Sequence, residues 1–210
     1  MKRLALLGAS GHGKVVADIA LLTGWEVIDF YDDAWPKRNH NSRWPVIGDT
    51  AALLSRLSDY EGVLVSIGHC AIRWEKQLSL QALSAPLISL IHPMASVSPF
   101  AELGPGTVLM AGAVVNVDAV IGAANIINTG ATVDHDCRLA DAVHICPGVH
   151  LSGDVQVGHG SWVGVGAAIK QGIAIGRNVM VGAGAVVVRS VADGQTVIGN
   201  PAHLLARHDA

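Results

Sequence analysis

The chain has 210 residues, half of them apolar and only 15% charged, which excludes a disordered chain and leaves room for one or two domains with their own cores. A formal net charge of −3 provides no basic footprint for nucleic acid, and apolar runs such as Val63 to Ile67 are far too short to cross a bilayer. Met1 to Leu7 enters a strand without the long apolar segment of a signal peptide, so a cytoplasmic location with no membrane partner is expected.

The first ninety residues alternate. Lys2 to Leu7 reads as a strand, Gly13 to Thr23 as a helix, Trp25 to Tyr31 as a strand, and Thr50 to Leu57 as a helix. Gly62 to Ile67 follows as a strand, Ile72 to Leu83 as a helix, and Pro86 to Leu90 as a closing strand. This order predicts an α/β domain over residues 1–90, with a small parallel sheet flanked by helices and a ligand site at the carboxyl ends of its strands. Three strand ends carry suggestive residues.

The first is Gly8-Ala9-Ser10-Gly11-His12-Gly13-Lys14, a glycine-rich strand-to-helix turn whose backbone amides can hold phosphate. It satisfies the opening of a P-loop, but Val15 stands where Ser or Thr must ligate magnesium, which argues against an NTPase. The glycine spacing is GxxGxG, which also weakens a dinucleotide reductase. The second is Asp32-Asp33, placed to accept hydrogen bonds from a ribose or base, and the third is Ile67-Gly68-His69.

From Ile91 to Val187 every sixth residue is Ile, Leu or Val. At their frequency in this chain, an unbroken run of that length arises by chance about once in a billion. A period of six fits neither helix nor single strand; it fits a triangular coil in which each repeat makes one flat side. Eighteen residues then close a turn, and five to six coils make a prism roughly 25 to 30 Å long at about 4.8 Å per coil. Residues 91–191 are the predicted β-helix, and 192–210 a capping segment. Small residues such as Ala113, Ala131 and Cys137 sit four places after the aliphatic, as a crowded corner demands. Gly104, Gly122, Gly158, Gly164, Gly176 and Gly182 follow it directly, where unusual dihedrals are expected. No inserted loop interrupts the count.

Within that phase, Val133 places His135 and Asp136 at an outward corner. A carboxylate beside an imidazole orients the ring and raises its basicity, which makes His135 a candidate general base. His144, His150 and His159 extend a histidine-rich edge; decoration of polar turns is the simpler reading for the last two. Zinc would need ligands that converge on one point, so a metal-dependent hydratase is the minority reading. Cys70, Cys137 and Cys146 lack CxxC spacing and read as reduced, structural residues.

Together, Gly8 to Asp18, Asp32-Asp33, Ile91-His92-Pro93, Asn128 to Cys137, His144 and Gly199-Asn200-Pro201-Ala202 resemble bacterial nucleotide-sugar acetyltransferases of the left-handed β-helix, hexapeptide-repeat type. The UDP-4-amino-sugar N-acetyltransferases that make a bacillosamine precursor for glycan assembly are the best match, with sialic acid O-acetyltransferases next. The resemblance implies a homotrimer with active sites between subunits and direct transfer from acetyl-CoA without a metal. His135 would be the base and Asp136, where many relatives carry Glu, its partner. Ser10, Gly11, His12, Asp32, Asp33 and Gly68 would bind the nucleotide sugar. His144, Val165 and Ala183 match positions that contact acetyl-CoA. A noncatalytic sugar-nucleotide sensor on the same scaffold is the alternative outside enzymology.

Overall fold

The structure, a computed structural model, describes residues 1–205. Its N-terminal part is a five-stranded sheet in the order β3-β4-β2-β1-β5, where β1 is Arg3–Leu7, β2 Val27–Tyr31, β3 His40–Asn41, β4 Trp44–Gly48 and β5 Gly62–Val65. Four strands run parallel and β3 pairs antiparallel with β4 at the edge. Helices α1 (Gly11–Leu22), α2 (Thr50–Leu54) and α3 (Cys70–Ala82) flank the sheet.

Two sequence expectations change here. Residues 40–48 form a hairpin, hidden in the sequence by polar residues and by Pro45, and Asn41 from it donates to the Ser10 carbonyl at 3.1 Å. Pro86 to Leu90 does not form a closing strand: Leu87 makes a single bridge to Val63, and Leu90 already belongs to the prism. The remaining elements agree with the sequence to within a few residues, which is the ordinary spread of helix and strand ends.

The second part is a left-handed parallel β-helix of seventeen two-residue strands, from Leu90–Ile91 to Val186–Val187, without an inserted loop. The second residue of each strand is the periodic aliphatic, and from Leu109 onward all of these are buried in one continuous core. Ile91, Val97 and Leu103 are more open because no coil stacks beneath the first. The first residue of each strand points outward and gives each face its character. The covered face carries Leu90, Val108, Ile126, His144, Trp162 and Met180; its first four are buried under the N-terminal part. The neutral face carries Ser96, Val114, Thr132, His150, Ala168 and Val186, and the charged face Glu102, Val120, Arg138, Gln156 and Ala174. Thr196–Ile198 and His203–Leu204 extend the covered face at the far end; residues 206–210 of the expected capping segment lie outside the described residues.

Every corner from Gly106 to Gly184 places a left-handed residue three positions after the aliphatic, with φ between 51° and 76°. Glycine, Asp118, Asp136, Asp154 and Asn178 hold most of these positions, as the sterics of L residues require. The glycines directly after the aliphatic therefore have a different reason from the one expected. At Gly158 a Cβ would meet the backbone carbon of Gly176, one coil on, at 2.6 Å, so that position excludes side chains by close stacking.

The two parts share a core in which Val16, Ile19 and Ala20 of α1 pack with Leu90, Val108 and Ile126. At the corner between the charged and covered faces, buried Arg73 from α3 donates to the carbonyls of Ala124 at 2.7 Å and Ala142 at 3.0 Å. The same guanidinium holds the Ile67 and Gly68 carbonyls at 3.0 and 2.7 Å. No described helix is long and apolar enough to cross a membrane.

Candidate active site

His135 sits at the corner between the neutral and charged faces, half-exposed, with its Nδ1 2.7 Å from Asp136 Oδ2. The shorter carboxylate thus reaches the ring. The left-handed backbone of Asp136, φ 61°, is one that Asp tolerates, and there it lies alongside its predecessor. The Asp136 hydrogen bond, assisted by the charges of Asp134, Asp136 and Asp154, raises the His135 pKa above its ordinary value despite some desolvation. Because Asp136 Oδ2 accepts a hydrogen bond from Nδ1–H, Nε2 of the neutral ring carries the free lone pair. Asp134 Oδ1 in turn accepts from the His135 amide at 2.9 Å and from Asn116 Nδ2 at 2.8 Å, which pins the corner.

Gly153 lies one coil above His135 and was missed in the sequence. A Cβ there would stand 2.5 Å from His135 Cε1 and 2.6 Å from Nε2, so the missing side chain is the space the imidazole occupies. Its amide N–H has no partner among the described residues, while Asp154 N–H bonds the His135 carbonyl at 2.9 Å. The spacing of one coil was the available signal.

Ser10, Asp32 and Asp33 come together at the carboxyl ends of β1, β2 and β5, in a cleft of about 220 Å³ walled by Leu7, Ile67 and Ile72. Ser10 precedes α1 and its hydroxyl makes no capping bond, so the exposed start of that helix, including Gly11, faces outward. Asp32 accepts from the Ala9 amide at 2.7 Å, the Ala34 amide at 2.9 Å and Arg38 at 3.1 Å, and so shapes the glycine turn. Asp33 accepts from the Thr50 amide at 3.0 Å and from Lys76 Nζ at 2.8 Å. Burial opposes its ionisation, but the hydrogen bonds from Lys76 and Thr50 prevail and hold its pKa at about 2. Lys76, another residue missed in the sequence, also lines this cleft.

His12 and Gly68 face the domain junction. The His12 and His144 rings lie 6.5 Å apart, and His144 packs at a tilt against Trp162, with ring centroids 4.1 Å apart. Burial first, then the charge of Arg73, lowers the pKa to about 4 for His12 and about 3 for His144, so both are neutral. Asn128 Oδ1 accepts from the Thr129 amide at 2.8 Å, which turns its NH2 toward His144 Nε2 at 3.1 Å. His144 therefore bears its proton on Nδ1, which together with His12 Nε2 is enclosed without a full hydrogen bond. Gly68 supplies its carbonyl to Arg73. Val165 and Ala183 sit one coil apart on the corner between the covered and neutral faces, joined by the Gly184 amide to the Val165 carbonyl at 2.8 Å.

The expected histidine-rich edge is not an edge. His135, His144, His150 and His159 stand respectively at the neutral–charged corner, on the covered face, on the neutral face and at the charged–covered corner, because their spacings of 9, 6 and 9 residues are not whole coils. Within one chain, moreover, the His135 corner lies across the prism from the covered face that holds His12, His144 and the nucleotide-type cleft.

A β-helix with a histidine–carboxylate pair on one edge, bearing an α/β domain on one face, has the build of a hexapeptide-repeat acyltransferase. Residues 3–80 match the family model described as the PglD N-terminal domain. The acetyltransferase domain of PglB from Neisseria gonorrhoeae FA1090, solved with acetyl coenzyme A, is 45% identical, with a TM-score of 0.93 over 97% of this chain and 99% of that one. PerB from Caulobacter crescentus, solved with CoA and GDP-perosamine, is 38% identical with a TM-score of 0.93 over 98% of each chain. A UDP-N-acetylbacillosamine N-acetyltransferase of Bacillus subtilis (strain 168) is 39% identical over 114 residues; the match spans 53% of this chain and about half, 52%, of that protein's length. The chain belongs to the hexapeptide-repeat nucleotide-sugar N-acetyltransferase family.

Proposed function

We propose that the protein transfers the acetyl group of acetyl-CoA to the 4-amino group of a UDP-linked amino-deoxy sugar, with His135 as general base. The observation that carries this reading is the His135–Asp136 pair, its Nε2 free and its ring resting over Gly153. The amine attacks the thioester carbonyl while His135 Nε2 takes its proton; the new C–N bond forms, and the C–S bond then breaks as CoA leaves as a thiol with that proton. The unpartnered Gly153 N–H is suited to hold the tetrahedral oxyanion. No cysteine nucleophile is required: Cys137 is buried, and burial raises its pKa.

The cleft at Ser10, Asp32, Asp33 and Lys76 would take the nucleotide, with Gly11, His12 and Gly68 bordering it. His144, Val165 and Ala183 would contact acetyl-CoA, His144 as a neutral polar group and the other two through backbone. Dependence on acetyl-CoA argues for action in the cytoplasm.

The base and these groups meet only between chains. The covered face is occupied and the charged face is polar, whereas the neutral face is flanked by both the His135 corner and the Val165–Ala183 corner. Three prisms packed on their neutral faces would set each His135 beside the next chain's donor corner, which supports a homotrimer with sites between subunits.

Thiol release with acetyl-CoA and a panel of UDP-, dTDP- and GDP-linked 4-amino sugars tests the reading. We expect turnover with the UDP sugar and a loss of about a hundredfold or more in His135→Ala, the usual worth of a positioned base. An unchanged rate in that variant would remove His135 from the mechanism, and preference for GDP would move the acceptor to the PerB type.

A further inference from the structure

Arg138 opens the charged face three residues after His135. Its side chain is exposed, and it makes no ion pair or side-chain hydrogen bond among the described residues. Two cavities open on this face and Arg138 lines both; the first borders the His135 corner through Asp136, and the second runs from Arg138 to the corner shared with the covered face. One, of about 480 Å³, is shared with Glu102, Asp118 and Asp136. The other, of about 730 Å³, is shared with Gln156, Trp74 and Arg177. Asp141, also in the second cavity, is committed through Oδ1 to the Ala123 amide at 2.7 Å. The wall therefore passes from carboxylates beside the base, through Arg138, to a second guanidinium, Arg177, beyond it, with Asp141 held against the backbone.

An amino sugar linked to a nucleoside diphosphate changes sign in the same way. It carries an ammonium at one end of the hexose and a diphosphate at the other. With the amine at His135 Nε2, the diphosphate lies one sugar ring away, within reach of a long side chain on the adjoining face. We propose that Arg138 binds the diphosphate of the acceptor and so makes the site select nucleotide-linked over free amino sugars. This rests on the reading above, in which His135 is the base and a neighbouring chain holds the nucleoside. A guanidinium suits the task because its planar fork pairs with two phosphate oxygens at once. Electrostatic matching of this kind governs capture and selection more than the chemical step.

Steady-state kinetics of Arg138→Gln tests the proposal, since an exposed residue without internal partners can be neutralised without disturbing the fold. For the nucleotide-linked acceptor, KM should rise about tenfold or more, as loss of a charge-assisted contact implies, while kcat stays within about threefold. KM for acetyl-CoA should be unchanged, and Arg138→Lys should recover part of the loss. On the methyl glycoside of the same amino sugar, which has no phosphate, wild type and Arg138→Gln should be equal. An unchanged KM for the nucleotide sugar, or an equal loss on the glycoside, overturns the assignment. A wild-type protein that releases no thiol with any nucleotide-linked amino sugar overturns the underlying reading instead; an active wild type with an indistinguishable variant overturns this inference alone.

Discussion

At His135 one backbone torsion decides how the side chains meet. The left-handed Asp136 brings its carboxylate to 2.7 Å from Nδ1, and the result is a more basic imidazole. Because the folded pKa is raised, the neutral base form appears only as pH rises through that raised value. In Asp136→Asn the pKa falls back, so the acidic limb of the kcat/KM profile should move to lower pH while the plateau drops; a profile that keeps its midpoint would show that Asp136 does not tune the ring. In Gly153→Ala the atoms nearest the new Cβ are those of the His135 imidazole, so the change should displace the ring and cut kcat about tenfold or more, with little change in melting temperature.

The pair itself was legible because histidine and aspartate are adjacent and the aliphatic phase places them at a corner. Gly153 and Lys76 were not: one acts across a coil boundary, and the other meets Asp33 across 43 residues of chain.

On the scale of the repeating element, stability comes from the aliphatic column and from a buried polar column beside it. Asn125 accepts the Val143 amide at 2.7 Å and donates to the Gly122 and Ala140 carbonyls at 2.8 and 3.0 Å, so one side chain ties two adjacent coils together at three points. Asn125→Ala strands these groups and should destabilise the fold by roughly 2 to 3 kcal/mol in denaturant unfolding, the cost of unsatisfied buried polar atoms. An effect below about half a kcal/mol would mean that water replaces the amide.

The prism was readable to the residue because its inward position never changes type. The hairpin at residues 40–48 was not, since only the neighbouring strands and the Ser10 loop give it a reason to form. The glycines after each aliphatic were located correctly and explained wrongly, because close approach between coils has no signature within a single repeat.

For the whole molecule, the proposed site requires the neutral face to meet copies of itself. Ala168→Glu places a charge on that face, one coil from its end and between the levels of Val165 and Ala183, and should leave a folded monomer without turnover, measured by light scattering alongside thiol release. A trimer that survives the change would move the interface elsewhere.

Within each chain, α3 belongs to both halves: Arg73 grips the prism carbonyls, and three residues later Lys76 reaches Asp33 in the nucleotide-type cleft. Occupying that cleft should therefore tighten the junction, because any ligand that orders Lys76 also orders the turn of helix that carries Arg73.

The even stacking of coils also limits how such a protein can change. Heights along each edge come only in multiples of one coil, about 4.8 Å, and moving a group by one step takes eighteen residues at once. A gradual drift in the gap between the imidazole and its donor contacts is closed to point mutation. New acceptors must be accommodated by side chains on the flat faces and by the domain that delivers them, while the spacing of the reacting groups is inherited as a whole number.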